Sequence, residues 1–462
     1  MFSEIFDRFA TKSAVSVMFR GTLENVVTAE LLDQIFSKTA KRQRSGELLF
    51  SSVVNLLALV ATGGRRSVND AYLAREEEFT VSVASVYNKL SRIETEVSRQ
   101  VVRQTAMRMA DVVVQLAPRR QPLLAGYRTK ILDGNHLAAT EHRIEELRSI
   151  AAGPLPGHAL VVLEPDRMLA TDVFPCEDGH AQERSLLPQV LTTVESRDLW
   201  IADRNFCTTG FLFGVAKRDA AFVIRQHKQN LTYELLGERD KIGRCPRGMI
   251  YEQQMRLTDE AGKLKTIRRV TIELKEPTRD GETEIHVLTN LPKTVANARS
   301  VANLYLQRWT VERAFHELDQ AFNGEIKTLG YPGAALLSFC VALLAYNVTS
   351  VVKSALVATH GDKAKREDLS GYYLAGEVAA TYHGMTIAVP ETEWTTHFAL
   401  LNPAELARIL KVLAANVRPD RFRKNRRGPK QPAPKRVYDK KHPHVSTARI
   451  IAKRQQQKVT QC

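Results

Sequence analysis

The chain has 462 residues, of which 44% are hydrophobic and 25% are charged. This composition excludes a disordered or fibrous protein, and the length allows two to four domains of about 100–200 residues each. The chain carries 66 Lys and Arg against 51 Asp and Glu, a net charge of +15, which favours a polyanionic partner such as nucleic acid.

Short sequence features argue against several other protein classes. The five cysteines are widely scattered and form no C-x-x-C pair, which argues against a disulfide framework or a cysteine zinc site. The longest apolar stretches, residues 48–61 and 334–346, are shorter than the ~20 residues of a membrane-spanning helix, so we predict buried helices and no membrane partner. Residues 1–13 lack a continuous apolar segment, which indicates a cytoplasmic protein rather than a secreted one.

Residues 1–120 are predicted to form a helical, DNA-binding domain, because apolar residues recur there at spacings of three and four. The break at residues 63–67 precedes a short polar helix at residues 68–73, and a second helix is predicted at residues 82–90. Two short helices around a turn are typical of a helix-turn-helix reader of DNA. They also occur in plain helical bundles, the commoner arrangement, so both interpretations stay open.

Residues 121–230 alternate between strand and helix patterns. Short runs rich in β-branched residues and bounded by turns predict strands, and apolar residues at helical spacing predict helices. The predicted order is strand 127–132, strand 159–163, strand 168–174, helix 181–194, strand 199–202, helix 208–217 and strand 221–225. This succession is that of a mixed-sheet α/β domain. It fits the first part of a ribonuclease H-like core, and it also suits other α/β folds.

Residues 231–295 are predicted as an all-β insertion, because the hydrophobic period changes to two. Val270, Ile272 and Leu274 alternate there with polar residues, as on a strand with one buried face. The chain then becomes helical over residues 296–360. We assign this helical stretch to the second part of the α/β core.

The C-terminal part of the chain is predicted as a helical segment, residues 361–415, followed by a basic, disordered tail, residues 416–462. Residues 418–441 contain eleven Lys and Arg and two Asp, so most of the excess positive charge lies in this tail. Each phosphate that such a segment neutralises releases counterions, which indicates a DNA clamp; a solubilising tail is the alternative. The candidate DNA-binding residues of the tail are Arg421, Arg423, Lys424, Arg426 and Arg427.

Two aspartates directly follow buried strand patterns. Asp133 comes after residues 130–132 and before Gly134, which is expected to let the chain turn away, and Asp203 ends the apolar run 199–202. A carboxylate at the end of a buried strand is costly to keep ionised without compensation, and a divalent metal ion is one effective compensator. The alternative is that each Asp caps a turn.

A third acid, Glu312, lies on a predicted helix over residues 301–322. Apolar residues of this helix fall on one stripe that faces the sheet. A second stripe, about 80° around the helix, carries Tyr305, Arg308, Glu312, His316 and Asp319. Glu312 therefore projects at the border of the buried face, within reach of the strand ends. The alternative is a solvent-exposed Arg308–Glu312 ion pair, worth only a few tenths of a kcal/mol.

Asp133, Asp203 and Glu312 are the candidate catalytic residues and metal ligands. Mg²⁺, or Mn²⁺ in its place, takes oxygen ligands, and two ions about 3.5–4 Å apart share carboxylates while stabilising the attacking and leaving oxygens of a phosphodiester. Three carboxylates from separate elements are the minimum set for this chemistry. Tyr305 and Arg308, on the same stripe as Glu312, are candidate contacts to DNA phosphates.

Residues 305–312, with the sequence YLQRWTVE, resemble the Y-(2)-R-(3)-E-(6)-K signature of bacterial insertion-sequence transposases of the type-four family. The segments LDG around Asp133 and IADRNF around Asp203 resemble the first and second catalytic blocks of that family, whose members also carry a β insertion before the Glu. The resemblance covers roughly residues 125–350. Where the signature has Lys, this chain has Asp319.

The resemblance implies a DDE transposase that uses Mg²⁺, cuts at the ends of its own element and moves it by cut and paste. The implied partners are double-stranded DNA, at element ends and target, and a second copy of the chain, because two ends have to be paired. A ribonuclease H-like nuclease, which cuts without joining, and a catalytically decayed DNA-binding protein are the alternatives. Asp319 in place of Lys is the only hint of decay.

Overall fold

The N-terminal part of the computed structural model is a bundle of helices. The structure describes residues 3–43, 46–116, 122–229, 231–278, 281–365, 368–425 and 445–461. The helices of the bundle are α1 (Glu4–Lys12), α2 (Ala14–Val26), α3 (Ala29–Thr39), α4 (Phe50–Ala61), α5 (Val68–Leu73), α6 (Val83–Ser91) and α7 (Thr95–Leu116). Ser3, Thr28 and Ser67 cap α1, α3 and α5, since each side-chain oxygen accepts a hydrogen bond from a backbone N–H of the first turn.

The middle of the chain forms a large mixed sheet. The elements of this region of the chain, in order, are β1 (Arg128–His136), β2 (Pro154–Leu155), β3 (His158–Glu164), β4 (Leu169–Cys176), α8 (Leu187–Leu191), β5 (Asp198–Ala202), α9 (Thr209–Lys217), β6 (Ala221–Arg225), β7 (Thr232–Cys245), β8 (Gly248–Thr258), β9 (Leu264–Leu274) and β10 (Glu284–Thr289). In the described chain, nine strands form one sheet in the order β4-β3-β1-β5-β6-β10-β9-β8-β7. β5 is parallel to β1 and to β6, and the other neighbouring pairs are antiparallel.

The central strands separate two hydrophobic cores, because successive residues of a strand point to opposite faces. Ile131 and Ile201 face the larger core, which the helical bundle completes. Leu132 and Trp200 face a smaller core built with α8 and α9. A residue two positions after Ile131 or Ile201 therefore points to the side of the sheet where the helical bundle packs.

The strands predicted within residues 231–295 extend the core sheet. β10 pairs antiparallel with β6, with Val287 opposite Arg225, and β9, β8 and β7 follow outward as an antiparallel meander. The alternation predicted for Val270 and Ile272 is present, since both side chains are buried in β9.

The C-terminal half is mainly helical. Its elements are α10 (Ala298–Leu306), α11 (Trp309–Ala321), α12 (Pro332–His360), α13 (Gly371–Ala388), α14 (Glu391–Trp394), α15 (Pro403–Ala414), β11 (Val445–Ser446) and α16 (Thr447–Gln461). Of the described helices, the one that includes α12 (Pro332–Ala364) has the length and composition of a membrane span, but its most apolar stretch is entirely buried in the protein. The buried helix predicted at residues 334–346 is confirmed.

Residues 301–322 form two helices rather than the single helix predicted. At the junction of α10 and α11, the amides of Arg308, Thr310 and Val311 bond to carbonyls three residues earlier. Such bonds tighten the turn to about three residues and change the phase of the side chains that follow. Tyr305 is consequently buried, whereas Glu312 is exposed.

Two other segments differ from the sequence predictions. The helix predicted over residues 181–194 is a short 3₁₀ turn, Glu183–Leu186, followed by the five residues of α8. Residues 445–461, inside the range predicted as a disordered tail, form β11 and α16. β11 pairs with β2, and Arg449 Nε lies 2.6 Å from Asp178 Oδ2, so this segment packs against the sheet domain.

Asn347, a fully buried residue of α12, closes the edge of the large sheet. Its Oδ1 accepts from Ala170 N at 2.8 Å, and its Nδ2 donates to Ala170 O at 2.9 Å. Asn347→Ala is expected to lower the free energy of unfolding by about 2–3 kcal/mol, because both backbone groups stay buried without a partner. Urea unfolding measures this change.

Asn88→Ala, on the exposed face of α6, is the matched control and should change the free energy of unfolding by less than about 0.5 kcal/mol. A loss at Asn347 no larger than that of the control would contradict its assigned role at the sheet edge.

Candidate active site

Asp133 and Asp203 lie side by side at the point where the pairing of two adjacent parallel strands, β1 and β5, ends. Leu132 of β1 is paired with Ala202 of β5, so the next residue of each strand is the aspartate. Neighbouring strands are about 4.8 Å apart, and both aspartates follow Ile131 and Ile201 on the side where the helical bundle packs. This register makes the two aspartates neighbours.

Backbone amides orient both carboxylates. Gly134 N donates to Asp133 Oδ1 at 3.0 Å, and Asn205 N donates to Asp203 Oδ1 at 2.7 Å. Asp203 thereby caps the short 3₁₀ helix Arg204–Phe206, as the turn-capping alternative predicts for a strand-end Asp. Each aspartate keeps its second oxygen for another partner.

Arg308 joins Asp133 to Glu312. Its Nη1 lies 3.2 Å from Asp133 Oδ2, and its Nη2 lies 2.6 Å from Glu312 Oε1. One guanidinium therefore contacts carboxylates from β1 and α11. The Asp133 and Arg308 side chains are 16% and 14% exposed, whereas that of Glu312 is 49% exposed. The predicted Arg308–Glu312 ion pair is present, and the Asp133 carboxylate pairs with the same guanidinium.

The carboxylates of Asp133, Asp203 and Glu312 are close enough to affect one another electrostatically. Burial raises the pKa of the Asp133 carboxyl to about 7; the Arg308 guanidinium opposes this rise, and the carboxylates of Asp203 and Glu312 add to it. Burial also raises the pKa of the Asp203 carboxyl, against the hydrogen bond from Asn205 N. Gathering these acids has an electrostatic cost that a bound cation relieves.

The donor set fits a hard metal ion by chemistry, since Mg²⁺ prefers carboxylate oxygens. Throughout the described ranges, no group of three or more His, Cys, Asp or Glu side chains is arranged closely enough to hold a metal ion. Arg308 supplies the positive charge between Asp133 and Glu312 instead. Metal binding by all three acids therefore requires the Arg308 side chain to move.

Tyr305 and Arg308, the predicted phosphate contacts, are both turned into the protein. Tyr305 is 4% exposed, and burial raises the pKa of its phenol. Trp309 packs between two cations, with the guanidinium carbon of Arg247 3.8 Å and that of Arg308 5.9 Å from its ring centroid. The turn between β7 and β8, which carries Arg247, is thus held against the start of α11.

Three of the tail residues predicted to bind DNA lie within the described part of the chain. Arg421, Arg423 and Lys424 are exposed, and Arg423 Nε lies 3.1 Å from Asp420 Oδ1. Lys424 lines a cavity of about 280 Å³ together with residues of α11. Arg426 and Arg427, also predicted to bind DNA, lie outside the described residues.

Glu183 is a residue of the site that the sequence does not reveal. Its Oε2 accepts from Asn205 Nδ2 at 2.6 Å, and its Oε1 lies 3.3 Å from His136 Nε2. These contacts join the turn after β4 to the segments that follow Asp133 and Asp203. No spacing rule connects residue 183 to residues 136 and 205, so only the fold brings them together.

One of the comparisons with known proteins, a family match, agrees with a transposase. Residues 156–348 match the family described as "Transposase DDE domain"; Asp203 and Glu312 lie inside this range, and Asp133 precedes it. No curated protein sequence matches the chain. Among solved structures, the chain is similar to the piggyBac transposase of a cryo-EM synaptic complex with hairpin DNA, at 10% identity and a TM-score of 0.37, over 83% of this chain and 85% of that one. The match of residues 156–348 to a transposase DDE domain supports a DNA transposase function for the chain.

Proposed function

We propose that the protein is a cut-and-paste transposase of the type-four insertion-sequence family that cleaves and joins DNA at a metal site formed by Asp133, Asp203 and Glu312. The observation that carries this proposal is the position of the two aspartates on adjacent parallel strands, with Glu312 held to Asp133 through one guanidinium. The strand order β4-β3-β1-β5-β6, with both aspartates at the centre of the sheet, supports a ribonuclease H-like core.

The protein contributes three carboxylates whose charges are costly to keep together without cations. Two Mg²⁺ ions, or Mn²⁺ in their place, when bound would supply an activated water or 3′-hydroxyl and neutralise charge on the scissile phosphate. Asp133 in β1 and Asp203 directly after β5 are held by backbone amides, so they set the position of the site. Glu312 is more exposed and lies on a helix, where it adjusts as Arg308 leaves.

The proposed partner is double-stranded DNA, at the element ends and at the target. Two sets of cationic groups support this. Arg308, released from the carboxylates, and the exposed tail residues Arg421 and Arg423 are suited to contact phosphates. Tyr305, predicted as a phosphate contact, is buried beside Arg308 and is not assigned to this interface. We further propose that two copies act together, one at each element end, and that the protein works in the bacterial cytoplasm on the nucleoid.

Mn²⁺ binding to the DNA-free protein is expected to weaken as the pH falls below 7. The pKa of Asp133 is about 7, so at lower pH the metal has to displace a proton from this carboxyl. One displaced proton lowers the affinity about tenfold per pH unit, and above pH 7 the affinity levels off. Titration calorimetry in buffers of different ionisation enthalpy measures both affinity and proton release, and an affinity that stays flat below pH 7 would contradict the role of Asp133.

The proposed function is tested with the full chain and a DNA fragment that carries the inverted repeats flanking its gene. The expected products, formed only with Mg²⁺ or Mn²⁺, are an excised element and its joined form in a target plasmid with a short target duplication. Cleavage without joining would favour the ribonuclease H-like nuclease. Binding to the ends without cleavage would favour the decayed DNA-binding protein.

A further inference from the structure

The Glu183 carboxylate lies on the face of β1 opposite to the Asp133 side chain. A Cβ added to Gly134 would collide with this carboxylate, and Gly134 and Asp133 point to opposite faces because they are successive strand residues. His136, two positions after Gly134, contacts Glu183 from the same face. Glu183 therefore lies beneath the strand end that carries Asp133, not among the carboxylates above it.

Gly134 is required by this close approach. Its φ is not among the positive values found in the described chain, so another residue would meet no backbone strain there. The space for a side chain is instead filled by Glu183, which comes from the turn after β4. A carboxylate placed directly against the main chain of β1 fixes how far this strand end can move.

The same carboxylate reaches the second aspartate through Asn205. Asn205 Nδ2 donates to Glu183 Oε2 at 2.6 Å, while Asn205 N donates to Asp203 Oδ1 at 2.7 Å. One residue thus holds Glu183 by its side chain and Asp203 by its backbone. The Glu183 side chain is 15% exposed, so water competes weakly for these contacts.

We propose that Glu183 is a positioning residue that sets the separation of Asp133 and Asp203 by linking Gly134 and His136 of β1 to Asn205 beyond β5. The role of the two aspartates in metal binding comes from the proposed function, whereas the linkage itself stands on the contacts of Glu183. Groups that orient metal ligands from behind affect metal affinity by about 10–100-fold. Glu183 is expected to act on affinity in this range without touching the metal.

The test compares Glu183→Ala with Glu183→Gln in the full chain. Glu183→Ala removes both contacts, and we expect its Mn²⁺ affinity, measured by calorimetry, to fall about 10–100-fold. Glu183→Gln keeps an acceptor for Asn205 Nδ2 and should retain most of the affinity. Val215→Ala is the control. Val215 lies on α9 in the smaller hydrophobic core, so this variant should lower the unfolding temperature and leave Mn²⁺ affinity unchanged.

Amide hydrogen exchange provides a measurement that needs no metal. The amides of Gly134 and Asn205 donate to the two aspartates, so peptides containing them should exchange at least about tenfold faster in Glu183→Ala, because the segments open locally. Glu183→Gln and Val215→Ala should exchange like the wild type in these peptides. A wild-type protein that binds no Mn²⁺ would contradict the metal site, while exchange still reports on Glu183. Unchanged exchange in folded Glu183→Ala overturns the positioning role.

Discussion

Asp203→Asn is expected to abolish strand cleavage, with the single-turnover rate falling at least about 10³-fold, as when a group that acts in the transition state is removed. Asparagine keeps the acceptor oxygen for Asn205 N but removes the negative charge that a hard metal ion needs. Asp133→Asn and Glu312→Gln are expected to give losses of the same order. Cleavage of labelled DNA carrying one element end, in Mg²⁺, measures the rate.

End binding provides the control for these variants, because none of the three acids is proposed to contact phosphate. The affinity for the DNA end, measured without metal, should stay at or above the wild-type value, since each variant removes a negative charge near DNA. Asp319→Asn is the matched control on α11: Asp319 is exposed like Glu312, and its variant should cleave at the wild-type rate. Wild-type cleavage by Asp203→Asn would remove that residue from the active site.

The strands that carry Asp133 and Asp203 could be predicted because the signal is local. Residues 131–132 and 199–202 are apolar and each stretch is followed by an acid, a pattern that buried parallel strands give. The structure pairs these two runs in register. The closeness of the two carboxylates follows from that pairing, which periodicity alone does not specify.

The junction between α10 and α11 could not be predicted in the same way. Residues 301–322 keep helical spacing of apolar residues throughout, and no Pro or Gly marks a break. The tightened turn at Arg308 coincides with its double ion pair to Asp133 and Glu312. A contact across 175 positions is tertiary information that a single helical pattern does not contain.

The sequence correctly pointed to a requirement for glycine at position 134, but for the wrong structural reason. The sequence suggested that glycine lets the chain turn away after Asp133, yet β1 continues to His136. The glycine is needed because Glu183 approaches the strand there. Glu183 itself lies in a stretch that the sequence predicted as ordinary helix, so its role depends on packing between distant segments.

The Arg308 guanidinium balances the negative charges of the Asp133 and Glu312 carboxylates. It is 14% exposed and uses two different nitrogens for Asp133 and Glu312. A guanidinium is planar and presents its donors as a fork, whereas a lysine ammonium is a single point charge. Arg308→Ala and Arg308→Lys therefore separate the two contributions of this residue, its charge and the forked geometry of its donors.

Arg308→Ala is expected to lower cleavage about 10²-fold, the loss typical of one preorganised donor in an active site. If Arg308 contacts a phosphate once DNA is bound, the slope of log affinity against log salt should also fall by about one. Arg308→Lys keeps the charge, so it should restore the salt slope but not the cleavage rate. Arg8→Ala, on the exposed surface of α1, is the control for the loss of one positive charge. Full cleavage by Arg308→Lys would mean that a point charge is enough, and that the forked donors of the guanidinium have no part in the reaction.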